Sequence, residues 1–165
     1  MTAEVTIRTH INGQEIEANV SPRTLLVDFL RDHLDLTGTH VGCTFEGVCG
    51  ACTVQLDGEA VKSCMLLAGQ ISGRRVLTVE GLAQNGKPHP LQTAFQEAHA
   101  LQCGYCTPGI LMNMSDFIAR NDDPTDEEIR AALVGNLCRC TGYTHIVEAV
   151  RNAAHTMKAA KGAAS

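Results

Sequence analysis

The sequence predicts an α+β first half followed by an all-helical second half, on three observations. Two hairpin signals with strand-like runs fall before residue 80, and a stretch rich in Gly, Asn and Pro occupies residues 81–90. Beyond it the apolar residues recur only at helical spacing. Domains most often run to about 100–150 residues, so 165 residues make one large unit or two small ones. The division expected is 1–80, a linker at 81–90, and 91–165.

Residues 5–20 read strand, turn, strand: VTIRTHI, Asn12-Gly13, QEIEANV, with Asn-Gly supplying the positive φ angles of a two-residue hairpin. Ser21 and Pro22 then predict an N-cap with proline in the first turn. Leu25, Leu26, Phe29, Leu30, His33 and Leu34 follow at helical spacing, for a helix ending near Gly38. Residues 41–52 form a loop with three cysteines and the small residues Gly42, Gly47, Gly50 and Ala51. TVQL, the turn Asp57-Gly58 and EAVKSC make a second hairpin reaching Cys64, and a short strand is expected at 75–79. After the linker come a helix at 91–101 and a second at 108–120 opened by Pro108. A third, through Val134, carries a capping box of Thr125 and Glu128, and a fourth runs from His145 to Lys158. This is a small bundle of four, with the tail AKGAAS expected to fray.

Charge and hydropathy exclude two broad classes. Thirteen basic against eighteen acidic side chains leave a net charge of −5, so there is no basic stripe to release counterions from nucleic acid. No apolar run approaches the roughly 20 residues of a membrane span. The opening MTAEVTIRTH lacks the order of a secretion signal, so a soluble, cytoplasmic chain is expected. The seven histidines show no ligand spacing and read as surface or packing residues, and Met112 and Met114 read as helix packing.

The eight cysteines are the informative count. They are sparser than the roughly 8–10% of a disulfide scaffold, and a reducing cytosol would keep them free, so their crowding points to a metal. The first set is Cys43-x5-Cys49-x2-Cys52-x11-Cys64. Three thiols curl from one loop around a bulky centre, while glycines let backbone amides approach its sulfurs. The spacing is one residue longer than the C-x4-C-x2-C of plant-type ferredoxins, and the extra position predicts an outward bulge. The second set is Cys103-x2-Cys106, thirty-one residues, then Cys138-x-Cys140. Both of its halves precede helices, whose free amides favour thiolates and anionic clusters. Two zinc sites would also use all eight thiols, but structural zinc usually pairs two elements of two cysteines each separated by two to four residues. Cys-x-Cys and three ligands in one loop fit that pattern poorly.

The strings GCTFEGVCGACTVQLDG (42–58), LQCGYCTPGI (101–110) and GNLCRCTGY (135–143), in this order, resemble the small iron-sulfur subunit of the molybdenum hydroxylases. That family includes xanthine oxidase and aerobic carbon monoxide dehydrogenase, and the resemblance spans residues 4–155. It implies a plant-ferredoxin-like β-grasp domain holding one 2Fe-2S cluster on Cys43, Cys49, Cys52 and Cys64. It implies a four-helix domain holding a second on Cys103, Cys106, Cys138 and Cys140. It also implies a molybdenum-pterin cofactor in a large partner subunit and FAD in a medium one, in a dimer of heterotrimers. The helical-domain cluster would accept electrons first, with Gln102 contacting the pterin; in isolation Gln102 would read as a surface helix residue. No substrate site is expected on this chain. Each oxidised cluster with its four thiolates adds about −2, which favours basic rims on the partners. A two-zinc structural module, a free diffusible ferredoxin and a cytochrome acceptor in place of the flavoprotein are the alternatives. Arg139 between two ligands reads as a tuning charge or a salt-bridge partner, and Tyr105 and Phe45 as packing that excludes water.

Overall fold

The structure, a computed structural model, describes residues 4–163. Strand β1 (Val5–Ile11) pairs antiparallel with β2 (Gln14–Val20), Val5 facing Val20 and Ile11 facing Gln14. Both turn residues are left-handed, Asn12 at φ 52° and Gly13 at φ 82°, so the turn twist matches that of the strands. The expected cap at Ser21 does not form. Thr24 N–H donates to the Ser21 carbonyl in a turn (3.0 Å), and Leu25 is held extended by a bridge to Leu67. Helix α1 therefore begins only at Leu26 (Leu26–Asp28) and continues as a wide π turn over Phe29–His33. It stops short of Gly38 because Asp35 turns left-handed (φ 56°). The Arg31 guanidinium then ties the following loop back, donating to the carbonyls of Thr37 (2.7 Å) and Thr39 (2.8 Å).

The second hairpin, β3 (Thr53–Leu56) and β4 (Glu59–Lys62), turns on Asp57 (φ 53°) and Gly58 (φ 93°) as expected. Cys64 lies just past β4 in a 3₁₀ turn. Strand β5 (Arg75–Leu77) is shorter than its sequence pattern, because Thr78 N–H leaves the ladder to donate to Asn12 Oδ1 (2.9 Å). The sheet order is β2-β1-β5-β3-β4, parallel only between β1 and β5. Leu26, Phe29 and Leu30 of the α1 segment bury one face against Ile7, Val54, Leu56 and Val76. This is the β-grasp arrangement.

Four helices follow: α2 (Pro90–Glu97), α3 (Thr107–Arg120), α4 (Asp126–Ala132) and α5 (Thr144–Ala163). Their core includes Leu91, Phe95, Ile110, Met112, Met114, Ile129, Ile146 and Val150, so both methionines are packing residues. Thr125 and Glu128 close the expected capping box. Helix α5 runs five residues past Lys158; of the tail expected to fray, Ala164 and Ser165 lie outside the described residues. Leu82 joins the helical core and Leu77 and Val79 pack against it, so the connecting segment is docked at its start. Among the described residues no helix is long and apolar enough to cross a membrane.

All four residues of β3 are buried because the strand is covered twice. Val54 and Leu56 face α1, while Gln55 faces α3 and donates to Ser115 Oγ (2.7 Å) and the Met112 carbonyl (3.2 Å). Ala60 N–H donates to Asp116 (2.9 Å), itself paired with Arg120 (2.6 Å). The seam between the halves is thus polar and hydrogen-bonded, which fixes register more tightly than apolar contact would.

His89, expected as a surface or packing residue, caps α2. Its Nδ1 accepts from Leu91 N–H (3.2 Å) and its own N–H donates to Gln92 Oε1 (2.8 Å). Burial holds the imidazole below its ordinary pKa of 6.5, and an imidazolium could not accept. Between the two pKa values the unfolded chain binds more protons, so this stabilisation is complete above the unfolded value and is lost as pH falls. The contribution is at most about 1 kcal/mol, the usual worth of a cap less solvent screening. His89→Asn is expected to keep the cap and flatten this part of the acid sensitivity. Melting temperatures of both proteins between about pH 8 and pH 5 check it, and parallel curves would refute it.

Candidate metal centres

The loop from Cys43 to Cys52 opens on a tight left-handed turn. Glu46 N–H donates to the Cys43 carbonyl (3.3 Å), with Thr44 at φ 55° and Phe45 at φ 67°. The turn carries Phe45 into solvent, where it excludes little water. Gly47 is left-handed at φ 70°, and a Cβ on it would meet Met65 at 2.9 Å, so the glycine lets the loop lie against the turn that bears Cys64.

The backbone amides of Cys49, Val48 and Glu46 point at the Cys43 sulfur and bring its pKa down to about 7, with the Cys49 thiol helping. The same amides would offset an anionic cluster. Cys52 and Cys64 are buried. Burial, and the Cys52 thiol beside it, push Cys64 up to about 12. The set closes as two pairs of neighbouring thiols, Cys43 with Cys49 and Cys52 with Cys64.

The second set forms where α3 and α5 begin. Cys106 is the N-cap residue of α3, and Cys138 and Cys140 lie in the irregular stretch before α5. Its pairs run across the gap in sequence rather than along it. Cys103 Sγ is 3.5 Å from Cys140 Sγ, and the Cys106 thiol meets that of Cys138. Burial and this neighbour push Cys106 up to about 12. Burial also acts to raise Cys138, but the Thr141 hydroxyl and the amides of Thr141 and Cys140 outweigh it and its pKa falls. Cys140, hydrogen-bonded to the Cys103 thiol, is raised.

A single tetrahedral zinc would draw four sulfurs to within about 3.8 Å of one another, given its bonds of about 2.3 Å. Two pairs per set suit a centre of two irons, each taking two thiolates. A hollow of about 290 Å³ is lined by Cys103, Cys106, Cys138, Cys140 and Arg139, and across the seam by Gly42 and Cys49. Thus the two sets adjoin. Leu137 N–H donates to the Cys49 carbonyl (2.8 Å), directly linking a residue of one set to the neighbour of a residue of the other.

Three further residues hold this junction and were read from the sequence only as packing or not at all. His40 Nδ1 donates to the Tyr105 carbonyl (2.8 Å), their rings stack with centroids 4.5 Å apart, and the Tyr105 hydroxyl donates to the Val41 carbonyl (2.8 Å). The Tyr143 hydroxyl accepts from Cys138 N–H (2.8 Å) and donates to the Asn136 carbonyl (3.2 Å). Nothing in their local sequence announces these contacts. Gln102 is exposed beside the exposed Cys103 and Leu101.

Two family models match adjoining stretches of the chain. Residues 9–78 match the 2Fe-2S iron-sulfur cluster binding domain and residues 78–151 the [2Fe-2S] binding domain. The chain is 53% identical over 154 residues to the caffeine dehydrogenase subunit gamma of Pseudomonas sp. (strain CBB1), covering 92% of each chain. It is 48% identical over 150 residues to the nicotinate dehydrogenase small FeS subunit of Eubacterium barkeri, covering 91% of this chain and 95% of that one. Among solved structures, quinoline 2-oxidoreductase from Pseudomonas putida 86 superposes with a TM-score of 0.90 at 43% identity. That match covers 94% of this chain and 97% of the other.

Proposed function

Because the chain belongs to the small 2Fe-2S subunits of the molybdenum hydroxylases, we propose the route by which it serves as their electron-transfer subunit. Cys103, Cys106, Cys138 and Cys140 hold the cluster that receives electrons from a molybdenum-pterin centre in a large partner. Cys43, Cys49, Cys52 and Cys64 hold the cluster that delivers them to FAD in a medium partner. The observation that carries this reading is the junction itself: two sets of paired thiols that meet at one hollow, where Leu137 N–H donates to the Cys49 carbonyl. When bound, each cluster supplies a one-electron carrier, so that a two-electron oxidation leaves in single steps.

The chain's own residues arrange access. Burial of Cys52 and Cys64 keeps water from one side of the outer set, while Cys103 and Cys140 reach the surface. Gln102 beside them contacts the pterin, an amide suiting a heterocycle because it both donates and accepts. Exposed apolar side chains flank each set: Leu101, Tyr105, Leu137 and Val134 near the helical one, Phe45, Val48, Met65 and Leu67 near the other. We read these side chains as docking positions, one partner to each set, because exposed apolar surface marks interaction sites. The reading includes a dimer of heterotrimers in the cytoplasm, and domains at 1–80 and 91–165 joined by 81–90.

The test is the complex purified from its host with Gln102→Ala in this chain. About four irons per chain should remain, while reduction of the clusters by substrate slows about tenfold, the worth of one hydrogen bond. Unchanged reduction would remove Gln102 from the pterin contact, and zinc in place of iron in the parent complex would overturn the whole reading.

A further inference from the structure

Asn136 stands two residues before Cys138 and is 3% exposed. Its Nδ2 donates to the Gly50 carbonyl (3.2 Å), between Cys49 and Cys52 of the other set. Its Oδ1 accepts from Asn113 Nδ2 (2.8 Å), which also donates to the Ala132 carbonyl (2.8 Å). Leu137 N–H takes the adjacent Cys49 carbonyl, so two consecutive residues of one cysteine segment grip two consecutive carbonyls of the other. The approach is backbone to backbone: a Cβ on Gly50 would lie 2.2 Å from the Gly135 carbonyl and 2.5 Å from Asn136 Nδ2. Asn136 is uncharged, so it holds the loops together without adding a net charge near either anionic site.

Building on the ligand assignment above, we propose that Asn136 is a positioning residue that fixes the separation and mutual orientation of the two cysteine sets, and through them the electronic coupling between the two centres. It touches neither sulfur set; it acts through Gly50 and through the peptide it shares with Leu137. Asn113 orients it by occupying Oδ1, which leaves Nδ2 to face Gly50.

The experiment uses the intact complex with Asn136→Ala and with Asn136→Asp, which keeps the shape but sets an acceptor against the Gly50 carbonyl. Iron content and the g-values of each reduced cluster report whether the centres are intact. Magnetic splitting between the two reduced clusters at low temperature reports their relative placement, which a change in stability alone would not move. The expected result is retained iron, unchanged g-values, and a splitting that collapses in both variants. Retained iron with the parental splitting overturns the inference. If either variant loses iron, Asn113→Ala decides, because it removes the orienting donor, together with its bond to the Ala132 carbonyl, while leaving Asn136 itself in place: a diminished splitting supports the proposal and an unchanged one overturns it. A parent complex lacking two 2Fe-2S signals would instead overturn the ligand assignment, so the two failures are distinguishable.

Discussion

Replacing Cys106 with Ser is expected to halve the iron carried by the chain, from about four atoms to about two, and to abolish electron delivery to the acceptor. Cys106 closes the helical set against Cys138, and burial keeps its thiol protonated up to about 12 until a metal displaces the proton. A serine hydroxyl there ionises far less readily and is a harder ligand than thiolate. The outer set takes all its thiols from residues 43–64, so its cluster should persist and give a single reduced EPR signal. Iron analysis together with EPR of the complex checks the prediction. Full iron with both signals intact would show that Cys106 is not a ligand.

Gly109→Ala is the second large effect, expected to destabilise the chain by about 3 kcal/mol or more, as backbone overpacking in a closed seam does. Gly109 lies in the first turn of α3, and a Cβ there would sit 2.1 Å from the Gly50 carbonyl oxygen and 3.0 Å from Ala51 Cα. Both atoms are backbone, and the Gly50 carbonyl is also held by Thr53 N–H (3.1 Å) and Thr53 Oγ (2.7 Å), so no flexible side chain can give way. For a chain of this size the melting temperature should fall by about 6–12 °C. Gly69→Ala is the control: nothing lies within 4 Å of its Cβ position, so it should stay within about 0.5 kcal/mol. Equal melting temperatures for the two variants would refute the steric argument.

Where the sequence proved legible, the signal was local. Asn12-Gly13 and Asp57-Gly58 turn as their φ preferences require, and Thr125 with Glu128 caps α4 within four residues of chain. Ser21-Pro22 carried an equally local signal and misled, because the pairing of Leu25 with Leu67 keeps the chain extended where a helix would have started. His89 is an intermediate case. The residue before a proline is driven to extended backbone, and Gln92 three positions on completes the box, so the cap was readable from His-Pro-Leu-Gln had histidine been counted as an acceptor.

By itself the sequence determined that eight thiols fall into two sets of four, one in a glycine-rich loop of an α+β half and one at helix starts. Spacing along the chain fixes loop size and helix phase, and those are properties of a few consecutive residues. Only the tertiary structure decided that Cys103 pairs with Cys140 and Cys106 with Cys138, and that the sets meet where Asn136 and Leu137 grip Gly50 and Cys49. Those contacts join segments far apart in sequence. They exist because α3 packs on β3 through Gln55 and Ser115 and because Gly50 and Gly109 have no side chains to keep the two halves apart.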